Sequence, residues 1–300
     1  MKSMLQKLII LSSSCLPLHA FAQVNFTEID GSILHSQYYP NPNSKFKGTI
    51  VFQNGSTTSL KEWSENKTFF KCIKQHGNVF MYDRSGLGES SPDFSMSLRK
   101  PITAQLVNSK LIKLLRKNHI QSPYILVSHS YGGMYAGYFA RKYPDLVVGM
   151  LMVDPVPSDY QYSDKFRKQF EFDIAKMERM SSREAYKLYS FARSSKDNKM
   201  PADSFYQLKG FEVTIEQVAK QPRMSSKFPI IIASSSYMDK RAPIKGNWYD
   251  LQKYWLNQNP NSIIFRVNSG HFIQIDRPKL ICEELNKLVK IATKSSQLKP

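Results

Sequence analysis

From about residue 47 to the C-terminus, short apolar runs alternate with stretches of helical periodicity, the pattern of a mostly parallel sheet covered by helices. The runs Gly48 to Phe52, Asn78 to Tyr82, Tyr124 to Ser128, Val148 to Val153, Pro229 to Ala233 and Ser262 to Val267 read as buried strands. Ahead of them, Val24 to Ile29 and Ser32 to Tyr39 flank Asp30-Gly31, a dipeptide suited to a tight hairpin turn. Ile102, Leu106, Leu111, Leu114 and Leu115 share one helical stripe, and Leu280, Leu285, Leu288 and Ile291 share another. Asp276-Arg277-Pro278 is expected to cap and start that last helix.

The alternation breaks between Pro157 and Lys227, a charged stretch containing Met and aromatic residues and no convincing buried strand. Phe166, Phe170, Ile174, Met177 and Met180 suggest amphipathic helices there instead. An insertion at this point sits over the C-terminal edge of the sheet, where open α/β folds bind their ligands, and so reads as a lid. At the other end, Lys2 and Lys7 flank an apolar segment from Leu8 through Leu18, and Ala20-Phe21-Ala22 supplies a small-x-small cleavage signature. The expected layout is a signal peptide over 1–22, two parts of one α/β core over 23–156 and 228–300, and a helical cap over 157–227. Such a leader, cleaved after Ala22, implies a secreted or periplasmic protein.

Charge and cysteines add to this picture. The 300 residues carry a formal charge of +18, which becomes +16 when Lys2 and Lys7 leave with the leader. A surface of this sign favours nonspecific association with anionic lipid or acidic envelope polymers. The lysines are dispersed and not clustered among aromatics, so no nucleic-acid partner is expected. Loss of the leader removes Cys15 and leaves Cys72 and Cys282, each in a predicted amphipathic helix on the same sheet face. In an oxidising compartment such a pair can close a disulfide, two buried thiols being the alternative.

The chemistry concentrates at Ser128-His129-Ser130-Tyr131-Gly132-Gly133, directly after the apolar run Tyr124-Ile125-Leu126-Val127. A serine on a strained strand-to-helix turn exposes its hydroxyl only if the residues two positions away on either side are small, as Ser128 and Gly132 are. A serine hydroxyl needs an adjacent imidazole, itself oriented by a carboxylate, before it can attack a carbonyl at neutral pH. His271, in the loop Asn268-Ser269-Gly270-His271-Phe272 after the last strand, arrives at the same sheet edge. His129 adjoins Ser130 but is expected to point away from it. For the carboxylate, Asp239 follows the strand at Pro229 to Ala233 by a short loop and gives the chain order Ser, Asp, His. Asp154, at the end of Met152-Val153-Asp154, is the competitor. Negative charge developing on a substrate oxygen calls for preorganised N–H donors, expected from the amides of Tyr131 and of Ser56 in the loop Gln53-Asn54-Gly55-Ser56.

Taken together, the elbow, the loop at Asn54-Gly55-Ser56, the turn Asp83-Arg84-Ser85-Gly86-Leu87-Gly88-Glu89-Ser90, Asp239 and Gly270-His271-Phe272 resemble the α/β-hydrolase fold superfamily over residues 24–293. The resemblance implies an eight-stranded, mostly parallel sheet flanked by helices, with a helical cap inserted after the sixth strand. In relatives the aspartate-glycine turn is mainly architectural, which assigns Asp83, Arg84, Gly86 and Gly88 a structural role. Two positions depart from the family pattern, Asn54 for the histidine before the loop glycine and Ser128 for the first elbow glycine. Serine at 130 argues against the relatives that use an aspartate nucleophile, such as many epoxide hydrolases and haloalkane dehalogenases. The expected activity is cleavage of a carboxylic ester, with amide or thioester as lesser options, on a small-molecule or acyl-ester substrate without metal or organic cofactor. A prolyl-aminopeptidase-like peptidase, its substrate amine held by acidic cap residues, and a non-catalytic ligand-binding protein on the same scaffold are the alternatives.

Overall fold

The computed structural model describes residues 22–96, 99–161 and 202–297, together with scattered positions between 163 and 175. Residues 1–21 of the expected 1–22 leader and the expected cap positions Phe166, Phe170, Ile174, Met177 and Met180 lie outside the described residues. Eight strands form one sheet: β1 (Gln23–Ile29), β2 (Ser32–Tyr39), β3 (Thr49–Gln53), β4 (Asn78–Tyr82), β5 (Tyr124–His129), β6 (Val147–Val153), β7 (Ile230–Ser235) and β8 (Ile263–Val267). Their order is β1-β2-β4-β3-β5-β6-β7-β8. The β1–β2 hairpin and the β2–β4 contact are antiparallel, and every other neighbour pair is parallel. Asp30 and Gly31 both take positive φ, 47° and 76°, as the twist-matched two-residue hairpin requires.

The helices follow from the apolar stripes. On one face lie α1 (Lys61–Ser64), α2 (Lys67–His76) and α10 (Pro278–Gln297), whose Trp63, Phe69, Ile73, Leu285 and Leu288 share a buried cluster with Ile50, Ile125 and Leu151 of the sheet. On the other lie α3 (Ala104–Lys117), capped by the Thr103 side chain, and α4 (Gly132–Lys142), with Leu111, Leu114, Met134 and Phe139 packed against Val51, Leu126 and Met152. The insertion between β6 and β7 contributes α5 (Ala202–Lys209) and α6 (Phe211–Ala219), and Phe211 and Val218 join this second cluster. Shorter helices among the described residues include α7 (Ser236–Arg241), α8 (Trp248–Gln252) and α9 (Ile273–Asp276). Among the described residues no helix is long and apolar enough to cross a membrane.

Cys72 on α2 and Cys282 on α10 are joined as a disulfide, with their Cα atoms 6.3 Å apart and 210 residues between them in sequence. A crosslink closing so long a loop restricts the unfolded chain strongly, by roughly 2–4 kcal/mol in typical cases. Reduction, or Cys72→Ser, is therefore expected to lower the stability measured by urea unfolding by about 2–4 kcal/mol. An unfolding midpoint that does not respond to reductant would show that the two sulfurs are not bonded in solution.

Candidate active site

Strand β5 ends at His129, and the chain turns into α4 at Tyr131. Ser130, between them, has φ +52°, a left-handed conformation that costs a non-glycine residue roughly 1–2 kcal/mol. The turn is tight enough that a Cβ on Gly132 would collide with the carbonyl oxygens of Gln53 and Asn54. Glycine at 132 thus lets the elbow sit directly on the loop that follows β3.

At this elbow the Ser130 hydroxyl donates to His271 Nε2 over 2.8 Å, and His271 Nδ1 donates to Asp154 Oδ2 over 2.6 Å. His271 is one-fifth exposed, and Asp154 is wholly buried. Asp154 lies immediately beyond β6, and its φ of +44° marks a second sharp turn. Its carboxylate is saturated. Oδ1 accepts from Ser235 N (3.0 Å), Trp248 Nε1 (2.7 Å) and Gln252 Nε2 (3.2 Å), and Oδ2 also accepts from Ser235 Oγ (2.5 Å). Four donors besides the imidazole hold the carboxylate in one orientation, which fixes the tautomer of His271.

The expectation that Asp239 orients His271 is corrected by this geometry. Ser236–Arg241 forms helix α7 in place of the expected short loop, and Asp239 in its first turn faces sideways. There it accepts from Tyr249 N over 3.0 Å and from Arg266 Nε over 2.9 Å. The cause lies in strand order, because β6 is the immediate neighbour of β5 and β7 is one strand further. At about 4.8 Å per strand, the end of β6 is the nearer platform for a group shared with Ser130.

The donor loop is clamped from behind. Arg84, nearly fully buried, donates from Nη1 to the Asn54 carbonyl (2.8 Å) and from Nη2 to the Gly55 carbonyl (2.5 Å). In a trans peptide the N–H opposes the C=O, so fixing the Gly55 carbonyl on Arg84 turns the Ser56 N–H the opposite way. Ser56 and Tyr131 both line the cavity that holds Ser130. Tyr131 also stands at the start of α4, where the helix end favours negative charge. Asn54, in the place of the family histidine, is a buried brace: Nδ2 donates to the Tyr82 carbonyl and Oδ1 accepts from Trp63 Nε1. Asp276 also braces the base loop, accepting from Gly270 N over 2.7 Å.

Sequence reasoning misses Glu62. Its carboxylate is buried and ion-paired with His129 Nδ1, and Oε2 accepts from Gly55 N (2.8 Å) and Thr58 Oγ1 (2.5 Å). Burial alone would lift the Glu62 pKa, but the charge and hydrogen bond of His129, with Thr58 and Gly55, hold it below the usual carboxylate range. Burial alone would lower that of His129, yet the Glu62 carboxylate, with smaller help from Asp154 and the His271 carbonyl, keeps it above the ordinary histidine value. His129 turns away from Ser130, as the position before an elbow nucleophile demands.

Above the triad lies a cavity of about 180 Å³, walled by Val156, Tyr160, Phe211, Met238 and Trp248 together with Tyr131. Among the described residues no charged side chain lines it. Among the acidic residues of the 157–227 insertion that could hold a substrate amine, Glu212 and Glu216 are surface partners of Arg167 and Lys220, and Glu171 is exposed. Asp173, Glu178 and Glu184 lie outside the described residues.

An eight-stranded α/β sheet carrying a serine, a histidine and an aspartate at its C-terminal edge defines a hydrolase-type scaffold. A family profile for the alpha/beta hydrolase fold matches residues 48–229, and the chain belongs to that family. Among relatives, it is 26% identical over 254 residues to the uncharacterized protein YqjL of Bacillus subtilis (strain 168), covering 84% of this chain and 87% of that one. Solved structures share the fold at low identity, two of them as follows. The epoxide hydrolase CorEH without ligand superposes with a TM-score of 0.63 at 16% identity, over 90% of this chain and 99% of that one. The carboxylesterase CesB (YbfK) of Bacillus subtilis gives a TM-score of 0.57 at 12% identity, over 90% and 92%.

Proposed function

We propose that this α/β-hydrolase is a serine esterase acting on carboxylic esters with a compact, uncharged acyl or aryl group. The observation that carries the reading is the unbroken Ser130–His271–Asp154 relay opening onto an apolar cavity. Ser130 Oγ attacks the ester carbonyl while His271 Nε2 takes its proton, and Asp154 stabilises the imidazolium that forms. The amides of Tyr131 and Ser56 hold the oxyanion. The intermediate collapses as His271 returns the proton to the departing alkoxide, leaving an acyl group on Ser130. A water, deprotonated by the same imidazole, then attacks the acyl carbonyl, and Ser130 leaves with the proton from His271.

Cavity size sets the acyl preference. A void of about 150 Å³ accommodates benzene, so the 180 Å³ here suits an aryl ring or a short branched or linear acyl chain. Among the described residues the wall carries no charge, which supports an ester over a prolyl amide, whose protonated amino terminus needs a carboxylate partner. The leader pattern and the Cys72–Cys282 bridge support a place in an oxidising compartment, secreted or periplasmic. There the cationic surface would draw the enzyme toward anionic lipid or envelope polymers.

A nitrophenyl ester series graded by acyl length tests this. Turnover is expected to peak at short acyl or benzoyl groups and to fall for long chains, prolyl amides are expected to stay intact, and a fluorophosphonate is expected to map to the peptide bearing Ser130. Preferential cleavage of the prolyl amides, or labelling elsewhere, overturns the assignment.

A further inference from the structure

Glu62 and His129 form a buried ion pair that the acyl-transfer steps above do not use, with side chains only 2% and 1% exposed. Burying two charges is costly unless their remaining donors and acceptors are satisfied. Here the polar contacts beyond the pair itself lead to the donor loop, to the base loop and to the helix that follows it. On the Glu62 side, Oε2 accepts from Gly55 N and Thr58 Oγ1 of the donor loop, and Oε1 accepts from Gln274 Nε2 over 2.8 Å, just beyond the base loop. On the His129 side, Nε2 lies 3.1 Å from the backbone carbonyl of His271. A carbonyl can only accept, so Nε2 carries a proton, and Nδ1 carries another toward a carboxylate whose other contacts are all donors. With Glu62 held below the usual carboxylate range and His129 above the ordinary histidine value, the contact is an ion pair in which His129 bridges Glu62 and the His271 carbonyl. The fit is close: a Cβ on Gly55 would come within 2.9 Å of His129 Nδ1.

We propose that the Glu62–His129 pair is a positioning unit for the esterase chemistry, locking the oxyanion donor loop, the elbow and the backbone of His271 into one rigid piece. The proposal rests on the serine-esterase reading. The triad ties the base loop to the elbow and Arg84 clamps the donor loop from behind, so the pair supplies the direct tie between the donor loop and the base loop, and its loss lets the two shift relative to each other. A drift of the order of 1 Å between donors and base costs about 100-fold in rate. Neither residue touches substrate, so the loss belongs in kcat and in the rate of serine phosphonylation, with KM little changed.

The experiment compares Glu62→Gln, His129→Gln and the double variant with the parent protein. It uses fluorophosphonate labelling rates, kcat and KM on the best ester, and circular dichroism to confirm folding. Each single variant strands one buried charge and is expected to lose about 10–100-fold in kcat and in labelling rate, with KM within about threefold. The double variant can rebuild the chain of contacts without charge. The amide nitrogen introduced at position 129 donates to the His271 carbonyl, and the amide oxygen beside it accepts from the amide nitrogen introduced at position 62. The amide oxygen at position 62 still accepts from the donor loop, and Gln274, its side-chain amide turned over, accepts from the new amide nitrogen with its Oε1. This variant is expected to recover to within about tenfold of the parent and to exceed the worse single variant. Should a single variant fail to fold, the double variant decides the matter, because it leaves no charge unpaired. Folded single variants that label and turn over at the parental rate, or a folded double variant that is the slowest of all, would overturn the positioning role. A parent protein that is not labelled at Ser130 overturns the esterase reading itself, which separates the two failures.

Discussion

Replacing Asp154 with Asn is expected to lower kcat by about 10⁴ while leaving the protein folded, whereas Asp239→Asn is expected to stay within about threefold of the parent. The size of the effect follows from the donors around Asp154. Oδ1 is surrounded by three N–H groups, from Ser235, Trp248 and Gln252, so the oxygen of an introduced amide is held in that place. The amide nitrogen then occupies the Oδ2 position, 2.6 Å from His271 Nδ1. An NH₂ group there can only donate, which forces Nδ1 to accept and puts the single imidazole proton on Nε2. In that tautomer His271 cannot take the proton of Ser130. Removing the charge also withdraws the stabilisation of the imidazolium. Asp239, engaged with Arg266 and Tyr249 N, offers no route to either effect. Steady-state kinetics of both variants on the preferred ester decides the point. Equal activity for Asp154→Asn and the parent, with a collapse for Asp239→Asn, would return the acid to the position after β7.

That contrast also shows where sequence stops being legible. The central strands are readable because burial on both faces demands unbroken apolar runs, and the first two because Asp30-Gly31 marks their hairpin: Asn78–Tyr82 and Ser32–Tyr39 form over the expected residues, and the other six strands shift by only one or two residues at their ends. The elbow is readable because its small neighbours are adjacent in the chain. The acid is not, since its choice depends on which strand lies beside β5, a property of sheet order that no local pattern carries. Chain order favours Asp239 and is the wrong guide. Val153-Asp154-Pro155 does hold a usable signal, an aspartate at the mouth of a buried strand held out of helical conformation by the following proline. Glu62 offers nothing of the kind, since its partners come from Gly55, His129 and Gln274 and meet only in three dimensions. Arg84 sits between these cases. In sequence it reads as part of an architectural turn, and its architecture proves to be the clamp that aims the donor loop.

The largest effect is expected at Ser130, where Ser130→Ala should abolish fluorophosphonate labelling and lower ester turnover by about 10⁴–10⁶-fold. Loss of activity alone would not separate a nucleophile from a residue that shapes the pocket, so binding must be measured beside it. The cavity wall is built from Val156, Tyr160, Phe211 and Trp248, none of which depends on the hydroxyl, and an apolar ester should bind Ser130→Ala about as well as the parent by calorimetry. A second substitution tests why a serine is tolerated here at all. Alanine inherits the φ of +52° and its strain, whereas glycine adopts that conformation freely at some cost in unfolded-state entropy. Ser130→Gly is therefore expected to be more stable than Ser130→Ala by about 0.5–1 kcal/mol in urea unfolding, though both are inactive. A protein that kept this fold only to bind ligands would have no reason to keep a strained serine at the turn, so a stabilised, binding-competent, inert Ser130→Gly variant would tie the strain to the chemistry. If Ser130→Ala instead labels and hydrolyses like the parent, the nucleophile lies elsewhere and the relay to His271 is structural.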